Sequence, residues 1–178
     1  MLITIQNTNY KMKDVQHQQH DFAKYDIKTP EFTLNGTCTK GRLVDIIDGD
    51  SLSIILPLFN NYYRYNVRIN GIDTCELKSK NQENKTLALQ ARSCLLKLVT
   101  CKDHPITLSR QEIKQILNEN VFVVYLKCLD FDKYGRLLAE IYTHSDVSFS
   151  QHLLDNKLAY KYTGQTKLTE TEQLDVME

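Results

Sequence analysis

Residues 63–69 (Tyr-Arg-Tyr-Asn-Val-Arg-Ile) alternate strictly, with Tyr63, Tyr65, Val67 and Ile69 on one face and Arg64, Asn66 and Arg68 on the other. A period of two is the signature of a half-buried strand and is incompatible with a helix face. Two further β-prone runs precede it, at 41–47 and 51–56, joined by the turn dipeptide Asp48-Gly49. Three consecutive strands with short connections form a meander, with residues 57–62 as its second loop. That placement sets residue 56 opposite 63 and residue 51 opposite 68, so Arg68 is expected across from Asp50-Ser51.

The remaining pattern is mixed. Leu87, Leu89, Ala91, Cys94, Leu95, Leu98 and Val99 fall at helical spacing, which predicts a helix over 84–99. Ser109 and Glu112 have capping-box spacing ahead of a short second helix at 109–118. Runs 120–129 and 136–142 are β-prone, and a third helix is expected over 147–156 before a polar tail. Strand, strand, strand, helix, insertion, strand, strand, helix is the order of an OB-fold. The fold class is therefore α+β, mainly β: a five-stranded Greek-key barrel with packing helices. The expected organisation is an N-terminal extension over 1–36, a barrel domain over 37–164 with an insertion at 102–119, and an acidic tail over 165–178.

Apolar residues make up 42% and charged residues 25% of the 178, as in ordinary globular chains. No run of about 18 apolar residues predicts a membrane span. Met1–Gln6 has no basic flank or cleavage-site pattern, so no signal peptide is expected. The five cysteines are odd in number and lack CxxC spacing, which argues for reduced thiols in an intracellular compartment. Gln16–His20 reads as part of a solvated arm, with metal binding the alternative. Zero net charge opposes a large basic nucleic-acid footprint. Residues 41–164 carry 16 basic against 14 acidic groups, a formal +2, and residues 165–178 carry a formal −3. Nucleic-acid affinity, if present, is expected to be local and metal-assisted.

Three segments carry chemistry: Ile47-Asp48-Gly49-Asp50-Ser51, Arg68 through Glu76, and Asp132-Lys133-Tyr134-Gly135-Arg136. Taken singly, each has a bland account as a turn, a polar loop or a charged hairpin end. Together they place acids and arginines at the ends of strands. Asp50 and Asp73 can ligate a hard cation, and Thr74 can offer its carbonyl. Glu76, three residues from Asp73, is left to handle a water. Arg68 and Arg136 suit a phosphate. Lys133 and Tyr134 are candidate contacts to phosphate or base. This is an inventory for metal-assisted phosphodiester cleavage.

These segments resemble the motifs of the staphylococcal nuclease family. Ile47 to Leu52 is similar to V-I-D-G-D-T-V, Arg68 to Glu76 to R-L-x-x-V-D-T-P-E, and Leu153 to Ala159 to L-V-x-x-G-L-A. Asp132 to Arg136 matches D-K-Y-G-R without change. The resemblance spans about Thr39 to Lys161. The Asn/Lys-rich loop after Glu76 and the insertion are similar to features of relatives in large DNA viruses. If the chain is viral, a host cytoplasm or a virion is its expected location.

The resemblance implies a calcium-dependent nuclease that cleaves the P–O5′ bond of DNA or RNA and leaves 3′-phosphates. Asp50, Asp73 and Thr74 would be the calcium ligands, and Glu76 the residue that positions or deprotonates water. Arg68 and Arg136 would be the phosphate clamps, and Lys133 and Tyr134 would line the nucleotide site. The alternatives are a catalytically weak or inactive module binding nucleic acid or protein, and an OB scaffold. The sequence departs from the pattern at Cys75, where the family has Pro, and at Lys157, where it has Gly. Asn156 is the expected left-handed cap in place of that Gly. Tyr160 and Tyr162 are open between stacking on a base and packing on the barrel. Monomeric state is the default expectation.

Overall fold

The computed structural model describes residues 22–177. The chain divides into two compact units, Met1–Phe32 and Thr33–Glu178. In the first, the described residues hold a 3-10 turn at Phe22–Lys24. A second turn follows, in which Asp26 Oδ1 accepts from Lys28 N at 2.9 Å. Gln16–His20 lies outside the described residues.

The second unit is built on strands β1 (Cys38–Ile46), β2 (Ser51–Leu58), β3 (Asn61–Ile69), β5 (Phe122–Phe131) and β6 (Leu137–Tyr142), with the short β4 (Ile72–Asp73) after β3. The five long strands close a barrel in the order β1-β2-β3-β6-β5. β1 and β5 pair antiparallel, and β3 and β6 form the parallel closing pair. This is the α+β, OB-type barrel expected from the order of elements. Leu43, Leu52, Ile54, Leu56, Val67, Ile69, Val124, Leu137 and Ala139 fill it, each fully buried. Burying one such leucine stabilises the fold by roughly 1.5–3 kcal/mol.

The β2–β3 register runs from Ser51↔Arg68 through Leu56↔Tyr63 to Leu58↔Asn61. The expected six-residue loop is in fact a two-residue turn, Phe59-Asn60, with φ of 51° and 59°. Two successive left-handed residues give the turn whose twist matches paired strands. Loop and turn share one centre, so the register is unchanged. In β1 the pairing slips between Leu43 and Asp45, and Val44 is the extra residue. Asp45 is buried beyond this bulge.

Helix α1 (Gln82–Thr100) starts at Asn81, whose side chain accepts from Glu83 N. Its buried stripe includes Asn84, Ala88, Ala91, Arg92, Leu95 and Leu96. The insertion contains α2 (Arg110–Glu119), with the Ser109/Glu112 capping box formed as its spacing predicts. Ile113 and Leu117 are buried, and Asp45 Oδ2 accepts from Arg110 Nε at 2.9 Å. Hydrophobic and ionic contacts thus clamp the insertion to β1.

Helix α3 (Phe149–Asp155) is shorter than expected and begins after Ser148, which caps Gln151 N. Lys157, with φ of 54°, takes the left-handed position expected of Asn156. Asn156 stays right-handed while its Nδ2 donates to His152 O at 2.7 Å. Lys157 N then donates to Leu154 O, and Leu158 N to Leu153 O, the bonding of a Schellman stop.

Residues 165–178, expected as an acidic tail, contain α4 (Glu170–Met177). Gln173 and Met177 are buried, Met177 in a satellite cluster with Cys75, Ala88 and Tyr160. A weak amphipathic signal and dominant acidic composition hid this helix. Its anchors are buried amide bonds: Asn84 Nδ2 donates to Glu170 O at 2.9 Å and to Gln173 Oε1 at 3.2 Å. All five cysteines are free thiols. Among the described residues, no helix is long and apolar enough to cross a membrane.

Candidate functional site

Ser51 begins β2 directly opposite Arg68 near the end of β3, so the expected meeting of the Asp50 and Arg68 segments is realised in the ladder. Gly49 makes the approach possible. A Cβ there would stand 2.7 Å from Ala91 Cβ and 2.8 Å from Thr74 Oγ1. The loop before β2, the segment after β4 and the small face of α1 therefore press on one point. After β3, Gly71 takes φ of 82° and turns the chain into β4. β4 pairs with β7 (Tyr160–Lys161), with Asp73 opposite Tyr160.

The acids and bases form one continuous hydrogen-bonded chain. Arg136 Nη1 donates to Ser51 Oγ at 3.3 Å, and Ser51 Oγ donates to Asp50 Oδ1 at 2.8 Å. Arg68 donates to Asp50 Oδ2 through Nη1, and through Nη2 to Asp73 Oδ1 at 2.6 Å and to Ile72 O at 3.1 Å. Tyr160 donates its hydroxyl to Asp73 Oδ2 at 2.6 Å. Lys167 Nζ bridges Asp73 Oδ1 at 3.0 Å and Glu76 Oε1 at 3.2 Å. Arg136 is oriented from its own hairpin: Asp132 Oδ2 accepts from its Nε at 2.7 Å, and Asp132 Oδ1 from its backbone N at 2.9 Å.

Burial separates the roles. Asp50, Asp73, Thr74 and Arg68 are buried, whereas the Glu76 side chain is 63% exposed. Lys133 and Tyr134 are exposed at the hairpin, with Lys133 Nζ 5.1 Å from the Tyr134 ring centroid. A cavity of about 480 Å³ opens here, lined by Arg68, Lys133, Tyr134, Arg136 and Tyr162 among others. Each guanidinium lies beside an aromatic ring: Arg68 Cζ is 5.7 Å from the Tyr162 centroid, and Arg136 Cζ 5.6 Å from that of Tyr134.

The electrostatics are strained on the acid side. Burial and the neighbouring Asp48 carboxylate push Asp50 well above its usual range, against the pull of Arg68. Burial also raises Asp73, but the hydrogen bonds from Tyr160, Arg68 and Lys167 outweigh it and hold Asp73 below its usual value. Burial and the bond to Asp73 raise the Tyr160 hydroxyl. Burial works against charge on Lys167, yet Asp73 and Glu76 prevail and raise its pKa. With every acid ionised, Asp50, Asp73 and Glu76 face Arg68 and Lys167, a formal excess of one negative charge. Among the described residues, no three His, Cys, Asp or Glu groups stand arranged to hold a metal ion. Their oxygens are turned instead toward Arg68, Lys167 and Tyr160.

The family model described as Staphylococcal nuclease homologue matches residues 66–178. The chain belongs to the staphylococcal nuclease family. The match runs from β3 through α4, so it contains Arg68, Asp73, Thr74, Glu76, Lys133, Tyr134 and Arg136. It extends past Lys161 to the chain end, and it begins later than the resemblance to Thr39 read from the motifs. Asp50 lies upstream of the match and is joined to it by the Ser51↔Arg68 pairing. No curated protein matches the chain.

Three groups of this candidate site carry no signal of a site role in the sequence. Ser51 was legible as a neighbour of Asp50, but its link to Arg136 depends on barrel closure. The sequence leaves Tyr160 open between stacking and packing, and its hydroxyl in fact bonds Asp73. Lys167 lies 91 residues from Glu76 in a segment whose composition reads as a tail, where no local signal marks it.

Proposed function

We propose that this chain is a metal-dependent nuclease that hydrolyses phosphodiester bonds of DNA or RNA, with calcium as the cation and 3′-phosphate ends as products. One observation carries the reading. Two guanidinium groups line one open cavity, and the same hydrogen-bonded chain joins them to Asp50, Asp73 and Glu76.

Family membership supports the nuclease class, and the site chemistry supports the finer assignment. Arg68 and Arg136 present donors to a phosphate and stabilise the charge that develops on its oxygens. Their hydrogen bonds to Asp50 and Asp132 keep both forks oriented before substrate arrives. Glu76 is exposed enough to take a proton from an attacking water. Tyr134 and Tyr162 offer faces to nucleotide bases, and Lys133 adds a charge toward the backbone.

The donor set fits a hard divalent cation. It consists of carboxylate and carbonyl oxygens, and it already draws the Lys167 ammonium between Asp73 and Glu76. Asp50, Asp73 and the Thr74 carbonyl would hold that cation, which would supply Lewis acidity toward the phosphoryl group. Cys75 takes no part, since its thiol is buried and accepts from Asn84 Nδ2 at 3.3 Å.

The second reading is a nucleic-acid-binding module without turnover. The hold of Arg68, Tyr160 and Lys167 on Asp73 favours it, because each occupies an oxygen lone pair that a cation needs. Hydrolysis of single-stranded DNA and RNA, with calcium, with calcium plus chelator, and with Glu76→Gln, separates the two. Calcium-dependent cleavage to 3′-phosphate ends, lost in Glu76→Gln, is the expected result. Oligonucleotide binding without cleavage by the folded wild type would replace the nuclease by the module.

A further inference from the structure

We propose that Lys167 is a built-in cation of this site, and that a divalent ion binds by exchange, displacing the Lys167 ammonium from Asp73. The inference rests on the metal-dependent reading above and adds a residue that sets the affinity for the ion.

The position of Lys167 is held from both sides. Upstream, β7 pairs with β4, and Tyr162 N donates to Gly71 O at 3.0 Å. Downstream, Thr169 Oγ1 and Glu172 close a reciprocal cap on α4: Glu172 N donates to Thr169 Oγ1 at 3.3 Å, and Thr169 N to Glu172 Oε2 at 2.8 Å. α4 itself is pinned by Asn84 and by Ser79, whose hydroxyl donates to Glu170 Oε1 at 2.5 Å. The loop 163–169 therefore spans two fixed points and delivers one ammonium onto the site.

The charge pattern explains why it rests there. Asp73 is fully buried and Glu76 is its near neighbour, so two like charges need a cation between them. Arg68 is already shared between Asp50 and Asp73. Lys167 bonds the one Asp73 oxygen that Arg68 also bonds, and it reaches Glu76, which Arg68 does not. An ammonium and a divalent ion cannot both occupy Asp73 Oδ1, and a divalent ion there also takes the place of the Arg68 Nη2 bond. Their binding is then coupled with negative sign, and the coupling is reciprocal. An intramolecular ligand has a high effective concentration and weakens its competitor accordingly. Because the Lys167 side chain is 46% exposed, it has an open route off the site when displaced.

The test compares the full chain with Lys167→Met, which keeps the stem and removes the charge, and with Lys167→Gln, which keeps a donor. Calcium binding is read by calorimetry and by the calcium-induced rise in Tm. Both variants are expected to bind calcium about tenfold more tightly than the wild type and to show a larger Tm rise. Equal or weaker binding in folded variants would overturn the exchange while leaving the metal reading intact. Calcium binding by neither wild type nor variant would overturn the metal reading and the exchange together. A measurement on the wild type alone guards against variants that fail to fold: amine labelling of Lys167, quantified by peptide mass, with and without saturating calcium. Selective gain of Lys167 labelling on adding calcium supports exchange. Unchanged labelling in a protein that binds calcium overturns it.

Discussion

The Tyr160 hydroxyl donates to Asp73 Oδ2 at 2.6 Å, across 87 residues of chain. Asp73 is fully buried, and this bond ties the strand that follows α3 to the strand that carries the acid. Removing the hydroxyl strips a buried carboxylate of one donor while the ring continues to fill its place. Tyr160→Phe is expected to cost about 1.5–3 kcal/mol, the range for hydrogen bonds to charged groups. Urea unfolding checks it: the midpoint should fall with the slope unchanged.

Gly49 is constrained by contact. A methyl at this position meets Ala91 Cβ and the Thr74 side chain at 2.7–2.9 Å, so either the loop carrying Asp50 or helix α1 must move. Gly49→Ala is expected to lose about 1–3 kcal/mol of stability through overpacking. It should also reduce calcium binding, because Asp50 shifts relative to Thr74. Thermal unfolding with and without calcium measures both effects.

Asp132 gives a pH signature. Burial raises its carboxyl, but donation from Arg136 N, Arg136 Nε and Tyr134 N outweighs burial and holds it below the usual Asp value. A folded-state value below the unfolded one means its contribution is fully present above the unfolded value near 4. That contribution is lost as pH falls through the lowered folded value. The stability gap between wild type and Asp132→Asn is expected to be widest at neutral pH and to shrink on acidification below about pH 4. Chemical unfolding across pH 2.5–7 would show it, and a gap independent of pH would refute it.

Arg136 and Arg68 should respond differently to lysine. Arg68 binds two buried acids and Ile72 O, so Arg68→Lys is expected to lower stability as well as activity. Arg136 is half-buried, with its main partner on its own hairpin. Arg136→Lys is expected to leave Tm within a few degrees while kcat/KM falls by about 10²–10³, as for loss of a transition-state donor. Paired unfolding and nuclease assays on the two variants check the contrast.

Much of this site could be read from local pattern. Strict alternation over 63–69 and a loop at 57–62 were enough to set Ser51 opposite Arg68, because hairpin register follows from the loop's centre, which the observed turn shares. The Ser109/Glu112 cap was legible for the same reason, since its whole content lies within four residues. Residues whose meaning depends on distant partners were not legible. Lys157 rather than Asn156 takes the left-handed position after α3, where backbone bonds from Lys157 N to Leu154 O and from Leu158 N to Leu153 O close the helix. Helix α4 looked like an acidic tail, since its stability comes from Asn84, Ser79 and the cluster around Met177 rather than from its own pattern.

Periodicity, turn chemistry and motif spacing act over a few residues, so the order of elements along the chain, the β2–β3 register and the acids and arginines at the strand ends are legible in the chain alone. Which charges neutralise one another follows from closure of the fold. Closing the barrel brought Arg136 to Ser51, pairing β4 with β7 brought Tyr160 to Asp73, and docking α4 brought Lys167 between Asp73 and Glu76. Such pairings depend on distances between groups as many as 91 residues apart. Coulomb energy and desolvation depend on those distances and on burial, which no local pattern specifies.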